Sequence, residues 1–188
     1  MKNKLILLCA PSGTGKTTVA RMLIATDDRF RHVQVLTTRM VRPNEEGRSE
    51  KVHVELEKLQ AMNDNGELVN FNEKDGVYYG IKREAITDVL NARVNPILEW
   101  DINNLKYWDD KFPVYKVILK PSSKEGVMKN LTDGRDPTGV RKVGVEKEME
   151  LINSEKIKGD ITITNYDASL MDSVQKIRKA FFGSNKLN

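Results

Sequence analysis

The sequence predicts an α/β fold in which a five-stranded parallel sheet carries helices on both faces, three layers in all. Three observations predict it. A continuous apolar run, Leu5-Ile6-Leu7-Leu8-Cys9, leads straight into a glycine-rich turn and a helical pattern, as a buried parallel strand does. Four further apolar or β-branched runs alternate with helical stretches of about ten residues, the signature of βαβ units. A segment from about 38 to 80 breaks that rhythm and reads as an insertion on the core.

The elements follow in order. The first strand covers 4–9. A helix over 17–25 has Val19, Met22 and Leu23 on its apolar face, and a second strand falls at 32–36. Residues 39–51 are polar, hold Pro43 and Gly47, and read as a loop. Apolar residues at 56, 59 and 62 give a helix over 55–65 that ends near Gly66. A strand at 67–71 and the turn Asp75-Gly76 precede Val77-Tyr78-Tyr79, and 82–92 is helical. Strands at 95–100 and 114–119 flank a short helical segment from Ile102. Helices at 122–131 and 143–157 border a Gly- and Arg-containing stretch, 133–144. A last strand at 160–164, a helix at 169–182 and a frayed tail complete the chain.

Length and composition bound the function. The 188 residues suit one domain with a small insertion. The net charge of +4 says little. The pI near 9.0 borders on nucleic-acid binding, but there is no long run of like charge and no basic stretch interleaved with aromatics. A phosphate-rich small substrate accounts for the basic excess equally well. The lone Cys9 lies in an apolar run, fits core packing, and excludes an internal disulfide framework. The six-residue apolar start has no cleavage site and falls far short of a membrane span. A cytoplasmic protein, without membrane or nucleic-acid partners, is expected.

Residues Ala10-Pro11-Ser12-Gly13-Thr14-Gly15-Lys16-Thr17-Thr18 approximate the pattern G-x-x-x-x-G-K-[ST]. Gly13 and Gly15 let backbone N–H groups turn inward onto phosphate oxygens. Lys16 is placed for the β- and γ-phosphates, Thr17 for a Mg²⁺ shell, and the following helix aims its positive end at the anion. Ser12 to Thr18 is therefore the expected nucleotide site of a P-loop NTPase fold, with ATP and Mg²⁺ as ligands. Ala10 stands at the first Gly position, so that residue must need no positive φ.

The next signal is Thr37-Thr38-Arg39-Met40-Val41-Arg42-Pro43-Asn44-Glu45-Glu46-Gly47. Two arginines three apart on a loop can converge on one phosphate, with Glu45 orienting a guanidinium; a solvated basic loop has the same composition. Taken in order, the P-loop, the Thr-Thr-Arg-x-x-Arg-Pro-x-Glu-x-Gly element, Tyr78-Tyr79-Gly80, Pro121-Ser122-Ser123 and Asn165-Tyr166-Asp167 resemble the guanylate kinase family across roughly residues 4–170.

The resemblance implies a nucleoside monophosphate kinase in three parts. The core (1–37, 82–132 and 146–188) holds ATP, the insertion 38–81 holds the acceptor, and a lid at 133–145 closes over both. It implies that Arg39, Arg42 and Tyr79 grip the acceptor phosphate. Arg135 and Arg141 become lid arginines, with Lys16 and Arg39 also neutralising the transferring group. That division suits phosphoryl transfer, which is mostly positioning and charge neutralisation. A monomer or homodimer acting on small nucleotides is implied.

Three departures fall in the acceptor pocket. Asn70 stands where the family has a Glu that accepts from two guanine N–H groups, and a carboxamide has only one acceptor atom. Val35 and Leu36 replace a serine before Thr37, and Glu50 stands where the family has a tyrosine. Glu99-Trp100-Asp101 keeps both carboxylates of an Asp-x-Asp strand end, as candidates for Mg²⁺ waters, lid arginines or the base. The same reaction on a different acceptor is expected: a non-guanine nucleotide, a modified deoxynucleotide or a sugar phosphate, with a nucleotide favoured. A register shift that brought Glu67 or Glu73 into the pocket would restore guanine. Alternatives are a sugar-phosphate kinase or a non-catalytic binding domain, the latter opposed by Lys16 and Thr17.

Overall fold

The computed structural model describes residues 3–40, 47–48, 50–74, 76–132, 140–154, 156–165 and 169–183, the side chains of 132 and 140–143 excepted. Two sheets organise it. The core sheet has five parallel strands, β1 (Leu5–Cys9), β2 (Phe30–His32), β7 (Asn95–Trp100), β8 (Val114–Pro121) and β9 (Ile161–Asn165), in the order β2-β7-β1-β8-β9. The five-stranded parallel sheet read from the sequence is thus present.

Strand alternation divides the core. Ile6 and Leu8 point with Ala10 toward α1 (Lys16–Thr26) and α6 (Leu170–Gly183), where they meet Val19, Leu23, Val174, Ile177 and Phe181. Leu5, Leu7 and Cys9 point to the other face, against Ile86 of α3 (Glu84–Asn91), Trp108 and Ile152 of α5 (Val140–Asn153). Every β1 side chain is fully buried, and each such leucine contributes about 1.5–3 kcal/mol of burial. A continuous apolar run is the sequence expression of a strand covered on both faces. Burial pushes the Cys9 thiol up to about 12, so it is an inert packing group.

The second sheet is built entirely from residues 35 to 82: β3 (Val35–Thr37), β4 (Lys51–His53), β5 (Leu68–Lys74) and β6 (Val77–Lys82), in the order β4-β3-β6-β5. The helix α2 (Leu56–Asp64) packs Leu59 against its outer face with Leu36 and Leu68. Three sequence expectations need correction. The single strand expected at 32–36 is two strands in different sheets, β2 and β3, joined by Val33 and Gln34. The polar loop expected to run through Lys51 ends earlier, because Lys51–His53 pairs in parallel with Val35–Thr37. The helix expected at 143–157 runs from Val140 to Asn153. The helix α4 (Lys124–Thr132) packs Val127 and Leu131 against Val145 of α5.

Candidate active site

The turn after β1 is shaped by its glycines and braced from behind. Gly13 and Gly15 have φ of 81° and 85°, a region closed to most side chains, whereas Ala10 has no positive φ. A Cβ on Gly13 would lie 3.0 Å from the Val127 carbonyl oxygen. Asn130 Nδ2 donates to the Gly13 carbonyl at 3.0 Å and Asn165 Nδ2 to the Thr14 carbonyl at 2.6 Å. Ser173 Oγ donates to Asn165 Oδ1 at 2.6 Å, so this buried brace is itself held by α6. Neither asparagine was singled out as a loop brace in the sequence, where nothing local links positions over a hundred residues apart.

A cavity of about 620 Å³ opens in front of this loop, between the carboxyl ends of the core strands and the inner face of the second sheet. Its size suits a small-molecule site. The loop side contributes Ser12, Gly13, Gly15, Lys16, Thr17 and Thr18, and the second sheet contributes Arg39, Asn70 and Tyr79. Glu99 and Asp101 close the floor at the end of β7. Thr14 differs: its side chain is buried and borders a small separate hollow with Pro121, Ser122 and Ser123. Arg42, Glu45 and Arg135 lie outside the described residues. Arg141 belongs to α5 by its backbone, and its side chain lies outside them as well.

On the loop side, Lys16 Nζ donates to the Ala10 carbonyl at 3.2 Å, folded back over the turn. Thr17 Oγ1 donates to Glu99 Oε2 at 2.7 Å, which joins the hydroxyl at the start of α1 to a carboxylate on the core sheet. An all-oxygen pair of this kind suits a hard, hydrated divalent cation. Among the described residues no three His, Cys, Asp or Glu side chains cluster as metal ligands. Such an ion would therefore take most of its shell from phosphate and water.

On the side of the second sheet, β5 carries a bulge between Leu68 and Asn70. It lets Val69 and Asn70 both turn toward the core sheet, while Leu68 and Phe71 turn toward α2. From there Asn70, Asn72 and Lys74 alternate onto the cavity side. Asn70 is 4% exposed, and its Oδ1 has no partner among the described residues. The alternatives Glu67 and Glu73 point elsewhere: Glu67 pairs with Lys82 at 3.2 Å, and Glu73 accepts from the Gly76 N–H at 2.6 Å.

Several cavity residues escaped the sequence reading because their meaning lies in long-range pairing. Lys74 Nζ donates to Asp101 Oδ2 at 2.8 Å, and Asn103 N and Nδ2 donate to Asp101 Oδ1 at 2.9 and 2.8 Å. Burial pushes the Asp101 carboxyl up, but these donors outweigh it and hold it below the usual range. Glu50 is claimed by Arg21 of α1 through Nε and Nη2 at 2.9 and 2.6 Å. Burial depresses His32, leaving its imidazole neutral at pH 7. Glu148 of α5 also borders the cavity; burial raises its carboxyl, opposed by Lys74 and Lys16.

A glycine-rich loop, an arginine and a tyrosine thus line one cavity, and comparison with known proteins gives the family. The guanylate kinase family model matches residues 2–182. The guanylate kinase of Dechloromonas aromatica is 29% identical over 185 residues, covering 96% of this chain and 90% of that protein. That of Bartonella quintana is 30% identical over 152 residues, covering 78% of this chain and 68% of that one. The crystal structure of guanylate kinase from Anaplasma phagocytophilum superposes with a TM-score of 0.74 at 19% identity, over 99% of this chain and 87% of that one. The chain belongs to the guanylate kinase family and is an ATP-dependent nucleoside monophosphate kinase.

Proposed function

We propose that ATP binds with its phosphates on the loop from Ser12 to Thr18, that Arg39, Arg42 and Tyr79 hold the acceptor phosphate, and that the acceptor base is not guanine. The observation carrying this reading is the shared cavity, which sets Lys16 opposite Arg39 and Tyr79 with Asn70 at its buried end. Lys16 neutralises the β- and γ-phosphates, and the inward N–H groups around Gly13 and Gly15 hold them without reorganisation. Thr17, with Glu99 behind it, would hold magnesium, which would supply charge neutralisation at the transferring group. Arg135 and Arg141 close from 133–145, the proposed lid, and exclude water that would otherwise hydrolyse ATP. The insertion 38–81 is the acceptor unit.

Asn70 supports the altered base. Guanine presents N1–H and N2–H together, and one carboxamide oxygen accepts only one of them. The lone buried Cys9 and the absence, among the described residues, of any helix long and apolar enough to cross a membrane support a cytoplasmic setting. The test is ADP release by the purified chain with ATP and MgCl₂, across ribo- and deoxynucleoside monophosphates and ribose 5-phosphate. Turnover with at least one nucleoside monophosphate, and none with the sugar phosphate, is expected. Tight ATP binding without turnover on any acceptor would overturn the reading.

A further inference from the structure

The acceptor wall has a hydrogen-bonding inventory that defines a class of base. At its buried end stands one acceptor without a partner, Asn70 Oδ1. Its neighbours on the same face of β5 are Asn72 and Lys74, a carboxamide and an ammonium. The carboxylate nearest this stripe, Asp101, is engaged by its own neighbours: Oδ2 accepts from Lys74 and Oδ1 from both Asn103 donors. Glu99 is tied to Thr17 on the donor side. The other unpartnered buried atom bordering the cavity, His32 Nε2, belongs to β2, and the charged groups around it are Glu50, Glu99, Arg21 and Lys51, none of them on β5. Among the described residues, the β5 wall thus has one buried acceptor without a partner, Asn70 Oδ1, with the exposed Asn72 carboxamide and the Lys74 ammonium further out. Around it the lining is apolar, with Val35, Ile81 and Leu98.

Resting on the kinase reading above, we propose that this wall selects bases whose pairing edge has a single ring N–H flanked by carbonyl oxygen and no exocyclic amine: hypoxanthine, uracil or thymine. The ring N–H donates to Asn70 Oδ1. The carboxamide nitrogens of Asn70 and Asn72 donate to the carbonyls. An exocyclic amine brings two more N–H groups to a buried end where, among the described residues of the second sheet, Asn70 Oδ1 is the one unpartnered buried acceptor, and a buried unpaired donor is rejected by about tenfold or more. Guanine, adenine and cytosine all carry that amine.

The cleanest comparison is dIMP against dGMP, which differ only in the 2-amino group. For the full chain, kcat/KM is expected to be at least about tenfold higher for dIMP than for dGMP. Testing dUMP and dTMP beside dIMP shows which ring size the pocket takes. Asn70→Glu restores a second acceptor and should invert the dIMP/dGMP ratio. Lys74→Met releases Asp101 and should narrow it several-fold, with circular dichroism confirming that each variant is folded. Equal or better use of dGMP than dIMP by the wild-type chain, or a preference for dAMP or dCMP, would overturn the base assignment and leave the kinase intact. No turnover with any monophosphate would overturn both. The wild-type ratio needs no variant to fold.

Discussion

The two walls of the cavity recognise their ligands by different means. The loop wall uses backbone: Gly13 and Gly15 in left-handed conformations, with Asn130 and Asn165 fastening the carbonyls of Gly13 and Thr14 from behind. The acceptor wall uses side chains projected from a bulged strand, Asn70, Asn72 and Lys74, with Arg39 and Tyr79 beside them. A backbone cradle is indifferent to which side chains vary around it, so it holds the triphosphate common to all donors. A side-chain wall changes its preference with one substitution, and the proposed change of base rests on Asn70 in that wall.

Three substitutions probe that contrast, from the largest effect to the smallest, and a fourth serves as a control outside it. Lys16→Ala should lower kcat on the order of a thousandfold with every acceptor, since it removes charge needed wherever the phosphoryl group goes. A loss confined to particular acceptors would break the division between the walls. Arg39→Ala should lower kcat/KM for the acceptor by about a hundredfold, with ATP affinity measured by calorimetry unchanged. Asn165→Ala should weaken ATP binding by about tenfold, since it frees the loop without touching phosphate, and the acceptor KM should stay constant.

Asp27→Asn lies away from both walls. Asp27 ends α1, and its carboxylate accepts from Arg29 Nε and Nη2 at 2.8 and 2.7 Å and from Arg178 Nε at 2.9 Å, tying α1 to α6. The Arg29 guanidinium hydrogen-bonded to it holds its carboxyl below the usual range. A depressed folded-state value stabilises above the ordinary carboxylate pKa and is lost as pH falls through the folded one. Urea unfolding should show the variant about 1–3 kcal/mol less stable at pH 7. The gap should close as pH falls below about 4, with kcat at 25 °C unaffected.

The loop wall was largely legible in the sequence and the acceptor wall only partly. A short apolar strand, two glycines and a lysine lie within fourteen residues, so their chemistry is local. The Arg21–Glu50 pair spans 29 residues, Lys74–Asp101 27 and Asn165–Thr14 151, and no periodicity announces them. Asn70, singled out in the sequence on the strand before the Tyr-Gly element, lines the cavity. That Lys74 and Asn103 engage Asp101 needed the fold. The strand β4 was missed because Lys51-Val52-His53 is short, half-buried and polar at both ends. The division at Val33-Gln34 was missed because both strands it joins are extended, and a change of sheet leaves no mark on local pattern.

That division also has an evolutionary reading. The chain leaves the core sheet after His32 and returns at α3, so every strand of the second sheet lies between two crossing points. Val33 and Ile81, which flank those crossings, share one apolar cluster with Leu98 of the core. A segment tethered at two adjacent points can be rewritten, lengthened or exchanged as a cassette while the engine behind it keeps its sequence. A change confined to that segment then reaches the second sheet and leaves the chain order of the core sheet untouched.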